Sequence, residues 1–283
     1  MAERVTVFEM GPRDGLQNEK RQIPTADKIR LVDMLSDCGF RKIEAASFVS
    51  PKWVPQMADS AEVMAGIRRA RGVAYAALTP NIQGFERARA TGVDEIAIFS
   101  AASETFNRKN INASIAESLQ RFAPVAEAAK AAGLPMRGYI SCVTDCPYDG
   151  AVDPGKVAEV AAALRDMGCY EISLGDTIGA GTPESVAAML DAVLEEVPAA
   201  QLAGHYHDTG GRALANIEVS LERGLRTFDS SIGGLGGCPY APGAKGNVAT
   251  EAVVGMLVEK GYESGIDLAK LPEVAGFART LRS

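Results

Sequence analysis

The chain contains two histidines, and they stand two apart, as His205 and His207 in Gly204-His-Tyr-His-Asp. On an extended strand, positions i and i+2 share a face, so the two imidazoles project side by side. Neutral imidazole is the commonest metal-ligating side chain, whereas an apolar core gains nothing from histidine there. Asp14, in Gly11-Pro-Arg-Asp-Gly, offers a hard oxygen ligand and balancing charge, and Asn247 offers an amide oxygen. Two nitrogens with oxygen donors, and positions left for water or substrate, suit Mg2+ or Mn2+ ahead of Zn2+ or Fe2+. The plainer alternatives are an Asx turn at Asp14 before Gly15 and a helix N-cap at Asn247.

Three further residues carry chemistry. Arg13, beside Asp14, is permanently charged and forked, fit to hold a carboxylate or to neutralise a developing enolate. Glu44 lies on an apolar stretch and is costly to bury unpaired, which points to Arg13 as its partner and to an orienting role. Cys238 follows glycines at 233, 234, 236 and 237, a setting that lets backbone approach a ligand and suits a general acid or nucleophile. A buried inert thiol fits the same local sequence. Gly175–Gly181 (GDTIGAG) lacks the Lys-Ser/Thr of a P-loop and reads as a tight strand-to-helix turn. Trp53, between Pro51 and Pro55, reads as loop packing.

The elements that must position these residues follow a repeating pattern. Candidate strands are Val5–Met10, Lys42–Ser47, Ala74–Leu78, Glu95–Ser100, Met136–Ser141, Tyr170–Gly175, Leu202–His207 and Thr227–Ile232. Between them lie amphipathic segments such as Ala26–Cys38, Ile115–Ala132, Pro154–Met167, Pro183–Leu194 and Arg212–Arg223. Thr25, Ser114, Asp153 and Thr182 read as N-caps, and glycines at 39, 92, 133, 168 and 224 as helix stops. Eight strand-then-helix units predict an α/β fold, a (β/α)8 TIM barrel in a single catalytic domain over 1–283. Asn247–Lys260 closes the barrel and Ile266–Leu281 forms an additional C-terminal helix. No GxGxxG follows the first strand, which argues against a doubly wound sheet. In such a barrel the site forms at the C-terminal ends of the strands, where Asp14, Glu44, the histidines and the cysteine loop fall.

With 29 Lys and Arg against 36 Asp and Glu, the net charge of -7 argues against nucleic acid and anionic membranes as partners. No signal peptide or membrane-length apolar run is expected. The odd, scattered set of five cysteines fits a reducing cytoplasm.

The segments Gly11-Pro-Arg-Asp-Gly-Leu-Gln-Asn-Glu, Ser47-Phe-Val-Ser-Pro-Lys-Trp, His205-Tyr-His-Asp-Thr and Ser231-Ile-Gly-Gly-Leu-Gly-Gly-Cys-Pro-Tyr resemble the 3-hydroxy-3-methylglutaryl-CoA lyases. These belong to the DRE-TIM metallolyases, whose first loop and His-x-His strand are shared by synthases and aldolases. The cysteine loop and the Phe-Val-Ser-Pro-Lys-Trp segment are more particular to the lyases. The resemblance implies that Asp14, His205, His207 and Asn247 hold a divalent cation, Mg2+ or Mn2+, that Arg13 stabilises the enolate, and that Cys238 is the catalytic thiol. Gln17 is expected with Arg13 at the substrate. The implied reaction cleaves an acyl-CoA substrate into acetyl-CoA and acetoacetate, as in leucine degradation and ketone-body formation, and a homodimer is implied as well. Which group is the base (Asp14, His205 or a bound water) stays open. So do a related aldolase or synthase acting on a 2-oxoacid, and a barrel that only binds metal or CoA.

Overall fold

A computed structural model describes residues 2–236 and 246–282. Eight parallel strands close into a barrel in chain order: β1 Thr6–Glu9, β2 Lys42–Ser47, β3 Ala74–Leu78, β4 Glu95–Ala101, β5 Met136–Ser141, β6 Glu171–Asp176, β7 Leu202–Tyr206 and β8 Thr227–Ser230. Closure comes from β1 pairing with both β8 and β2. The expected strands are all present, with ends displaced by a residue or two. A register shift between Glu44 and Ala46 bends β2 where it meets β3.

Helices α1 (Thr25–Ser36), α5 (Ile115–Ala132), α6 (Pro154–Asp166), α7 (Pro183–Glu196), α8 (Ala213–Glu222), α9 (Thr250–Glu259) and α10 (Leu271–Thr280) occupy the anticipated segments. Asn247 is not an N-cap: α9 begins three residues later, and Asn247 instead forms a bridge to His207. Ser114 and Thr182 cap α5 and α7 in reciprocal capping boxes, and Asp153 caps α6. Thr25 does not cap α1, because Pro24 holds the extended cap conformation and the Thr25 hydroxyl donates to Asp59. Helices α2 (Ser60–Gly66) and α3 (Ile82–Ala90) fill the helix places that the strand-then-helix pattern requires after β2 and β3, with Gly92 soon after α3, whereas α4 (Glu104–Ile111) was not anticipated. Each is a few turns at most and carries few apolar residues, so its periodicity is weak. A small hairpin, Asp145–Cys146 with Gly150–Ala151, was also not anticipated. Trp53 does not pack in its loop; the turn closed by its N–H on the Ser50 carbonyl leaves it 83% exposed.

Side chains alternate along each strand between two destinations. One set, including Val7, Ile43, Ile96, Ile172, Leu174 and Phe228, meets the helices in a continuous apolar shell. The other set points into the barrel, where Phe8, Met10, Ala76, Leu78, Ala97 and Tyr139 form a small separate cluster. That cluster shares the interior with Arg137, Glu171, Asp229 and Glu44, all buried.

Candidate metal centre

The first loop is built as a tight turn. Gly11–Gly15 forms one wide helical turn after β1, closed by Gly15 N–H on the Met10 carbonyl at 3.1 Å. Single turns of this kind recur at functional sites because they aim consecutive side chains off one strand end. Here the aimed residues are Arg13 and Asp14. Gly15 permits the close fit: a Cβ there would lie 2.7 Å from Leu235 Cβ and 2.8 Å from Ser231 Oγ. The loop therefore seats directly on the segment that leads out of β8.

Asp14 stands at the centre. Its Oδ1 accepts from Arg13 Nη1 at 2.8 Å and from Gln17 Nε2 at 3.0 Å. Its Oδ2 accepts from Asn247 Nδ2 at 2.7 Å and lies 3.9 Å from His205 Nε2. One ligating atom from each of Asp14, His205 and His207 lies within 4.8 Å of the others. The two imidazoles do share a face, with ring centroids 5.4 Å apart, although β7 ends between them. Asn247 is adjacent, but its amide nitrogen faces Asp14 and the Leu235 carbonyl; a half-turn of the amide exchanges nitrogen for the oxygen a cation would need. Gln17 is engaged in orienting Asp14. Cys238 lies outside the described residues.

Arg13 and Glu44 meet as expected: Arg13 Nε donates to Glu44 Oε2, and Tyr139 OH donates to the other oxygen at 3.1 Å. Nε and Nη1 of Arg13 are thus committed, and Nη2 has no described partner. Burial pushes the Glu44 carboxyl up, with Arg13 pulling the other way. The direct guanidinium contact keeps it the ionised partner.

Sequence reasoning missed what lies beneath. His205 Nδ1 is 3.1 Å from Asp229 Oδ2, and Asp229 is fully buried. Asp229 also accepts from Arg137 Nη1 and Nη2 at 3.0 and 2.8 Å and from Ser173 Oγ at 2.7 Å. Arg137 Nε donates to Glu171 at 2.7 Å, and its guanidinium lies 4.6 Å from the Phe8 ring centroid. The available signal was charge inside otherwise apolar strands: Arg137 in Met-Arg-Gly-Tyr-Ile and Asp229 in Thr-Phe-Asp-Ser.

The electrostatics differ between the two histidines. Burial works against the charged form of His205, but the hydrogen bond and charge of Asp229, with Asp14 behind, raise its pKa. Burial, reinforced by His205, pushes His207 down to about 4, so it is neutral at ordinary pH. Burial opposes ionisation of Asp14 too, yet Arg13 and the imidazoles hold it below the usual carboxylate range.

These residues fit a divalent cation on two counts. His207 Nδ1 is buried without a hydrogen-bond partner among the described residues, a cost a metal bond would remove. Around the trio, four carboxylates (Asp14, Glu44, Glu171, Asp229) outnumber the two guanidiniums (Arg13, Arg137), an excess of negative charge that suits a cation. The Asp176 carboxylate stays out of this. It accepts from Ala180 N–H, Gly181 N–H and Thr144 Oγ1, so GDTIGAG is a tight turn and not a phosphate cradle.

Residues 4–277 match the family described as HMGL-like. A chicken protein named "Hydroxymethylglutaryl-CoA lyase, mitochondrial" is 60% identical over 275 residues, covering 97% of this chain and 92% of that one. A crystal structure of the HMG-CoA lyase from Brucella melitensis superimposes with TM-score 0.98 at 64% identity, covering 99% of both chains. An HMG-CoA lyase from Acinetobacter baumannii, solved with coenzyme A and 3-methylmalate, superimposes with TM-score 0.93 at 37% identity, covering 98% of this chain and 91% of that one.

Proposed function

The chain belongs to the HMGL-like family, and on that premise we infer that it is an enzyme that cleaves 3-hydroxy-3-methylglutaryl-CoA into acetyl-CoA and acetoacetate. The observation that carries this reading is the Asp14–His205–His207 trio at the strand ends of a barrel that matches named lyases over nearly its whole length.

We propose Mg2+ or Mn2+ as the cofactor, held by Asp14, His205 and His207, with Asn247 contributing its oxygen once the amide turns. Bound there, the ion would supply positive charge that lowers the pKa of the substrate's 3-hydroxyl. The chain's own side chains do the rest. Glu44 and Asp14 fix the guanidinium of Arg13, which leaves its Nη2 end to meet the thioester oxygen of a bound substrate. A base (Asp14, His205 or a bound water) takes the hydroxyl proton, the C2–C3 bond breaks, and C3 leaves as the ketone carbon of acetoacetate. The electron pair of that bond moves onto the thioester oxygen, where Arg13 stabilises the enolate. Cys238 returns a proton to C2, releasing acetyl-CoA. Gln17 keeps the Asp14 carboxylate turned toward the imidazoles. We further propose a homodimer of single-domain subunits in the cytoplasm, a reducing compartment that suits the five scattered cysteines; no helix among the described residues is long and apolar enough to cross a membrane.

The decisive assay measures acetyl-CoA and acetoacetate from 3-hydroxy-3-methylglutaryl-CoA with Mg2+, with Mn2+ and with EDTA. Equal amounts of both products, lost in EDTA and restored by metal, are the expected result. A folded, metal-loaded sample that leaves this substrate intact but acts on a 2-oxoacid such as pyruvate would replace the lyase with an aldolase or synthase.

A further inference from the structure

We propose that Asp229, clamped by Arg137, is a positioning residue that sets the tautomer and orientation of His205 and thereby tunes the affinity of the metal centre. This rests on the reading of Asp14, His205 and His207 as ligands.

Three observations carry it. First, His205 has two ring nitrogens with different surroundings: Nδ1 faces Asp229 at 3.1 Å, and Nε2 faces Asp14 at 3.9 Å. An ionised carboxylate can only accept, so Nδ1 carries the proton and the Nε2 lone pair is left open toward Asp14 and His207. Second, Asp229 has no rotational freedom. Both of its oxygens take a prong of the Arg137 fork, and Oδ2 also takes the Ser173 hydroxyl. Bidentate pairing of this kind fixes geometry as well as charge. Third, Arg137 is itself immobilised, fully buried between the Phe8 and Tyr139 rings and tied to Glu171. A chain of contacts thus runs Glu171–Arg137–Asp229–His205, from deep in the barrel to the ligand set.

His207 offers the contrast. Its Nδ1 has no partner among the described residues, so nothing comparable holds its ring before a metal arrives. One imidazole is prealigned by the protein and the other by the metal. Partners that orient a ligating histidine contribute about 10- to 100-fold to metal affinity in other proteins.

The test is Asp229→Asn in the full-length protein, read in two ways. Mn2+ binding is titrated by electron paramagnetic resonance, and the imidazole nitrogens are observed by NMR on 15N-histidine-labelled, metal-free protein in alkaline buffer. With two histidines in the chain, the spectrum is readily assigned. Expected are Mn2+ affinity weaker by about 10-fold or more, turnover that recovers as metal is raised, and a His205 signal moved from the Nδ1–H tautomer toward a mixture, with His207 unchanged. A general structural role for Asp229 would move neither the tautomer of one histidine alone nor the metal dependence of turnover. Unaltered Mn2+ affinity and tautomer, against normal binding by the unsubstituted protein, would overturn the inference and leave the metal site standing. Absence of Mn2+ binding by the unsubstituted protein would overturn the metal reading and this inference together. If Asp229→Asn alone does not fold, the double variant Arg137→Gln/Asp229→Asn, which leaves no unpaired guanidinium facing position 229, gives the same readings.

Discussion

The eight strands of this barrel present two faces that solve different problems. Outward, toward the helices, Ile43, Ile96, Ile172, Leu174 and Phe228 are buried among apolar side chains, and the contacts are non-directional. Inward, the same strands carry Glu44, Arg137, Glu171, Ser173, His205 and Asp229, joined by directional bonds of 2.7 to 3.1 Å, with Arg13 reaching Glu44 from the first loop. Neighbours such as Ser173 and Leu174 therefore belong to different regimes. The outer face stabilises the fold; the inner face gives up part of that stability to hold charged groups at defined angles, since a buried ion pair rarely outdoes the hydrophobic residues that could replace it.

The separation can be broken most severely at the ligand set. Asp14→Asn should lower kcat by about 10³-fold, a barrier increase of about 4 kcal/mol, with loss of bound metal by elemental analysis. The melting temperature should hardly move, because Arg13 keeps Glu44 as a partner. A large drop in stability without loss of metal would place Asp14 with the structural face instead. Arg13→Lys comes next: a lysine cannot span Glu44 and Asp14 while stabilising an enolate. Turnover should fall by about 10²-fold with Mn2+ affinity nearly unchanged. Equal losses in both quantities would make Arg13 part of the metal site and not of the enolate site.

On the outer face the expectation reverses. Leu174→Ala removes a fully buried side chain from the shell and should lower unfolding free energy by about 2 to 5 kcal/mol in denaturant titration, while kcat per folded molecule stays constant. A comparable fall in kcat would show that the two faces are mechanically coupled.

Glu9 sharpens the contrast, because it is a carboxylate on the outer side of β1. It accepts from the Gly11 and Ile232 amides and the Thr250 hydroxyl, yet burial raises its pKa from 4.5 to about 7. A carboxyl that binds its proton more tightly when folded makes the folded state less stable as pH rises from 4.5 toward 7. The contribution is of order 3 kcal/mol over that window. Glu9→Gln should flatten the stability profile there; a slope unchanged in the variant would assign the pH dependence to other groups.

Much of this was legible from the residues alone. Val7, Ile43 and Leu174 announce strands because alternation and apolar runs are local properties of the chain. The shared face of His205 and His207 follows from strand geometry, whichever barrel contains it. The Arg13–Glu44 contact was also within reach, since a carboxylate on an apolar strand demands a cation. The Thr25 cap was misread because Pro24 already occupied the cap position, and Trp53 because a tight turn directs it outward.

What the amino-acid sequence determined by itself is the alternation of elements and the types of ligand they carry, both written over a few residues at a time. What tertiary structure alone decided is which distant charges meet. Arg137 and Asp229 are 92 residues apart, and Asn247 reaches Asp14 across 233. Those pairs exist only once β1 closes on β8 in its particular register, Phe8 beside Asp229 and Asp229 beside His205. A register slip of one residue would have sent Arg137 or Asp229 into the apolar shell.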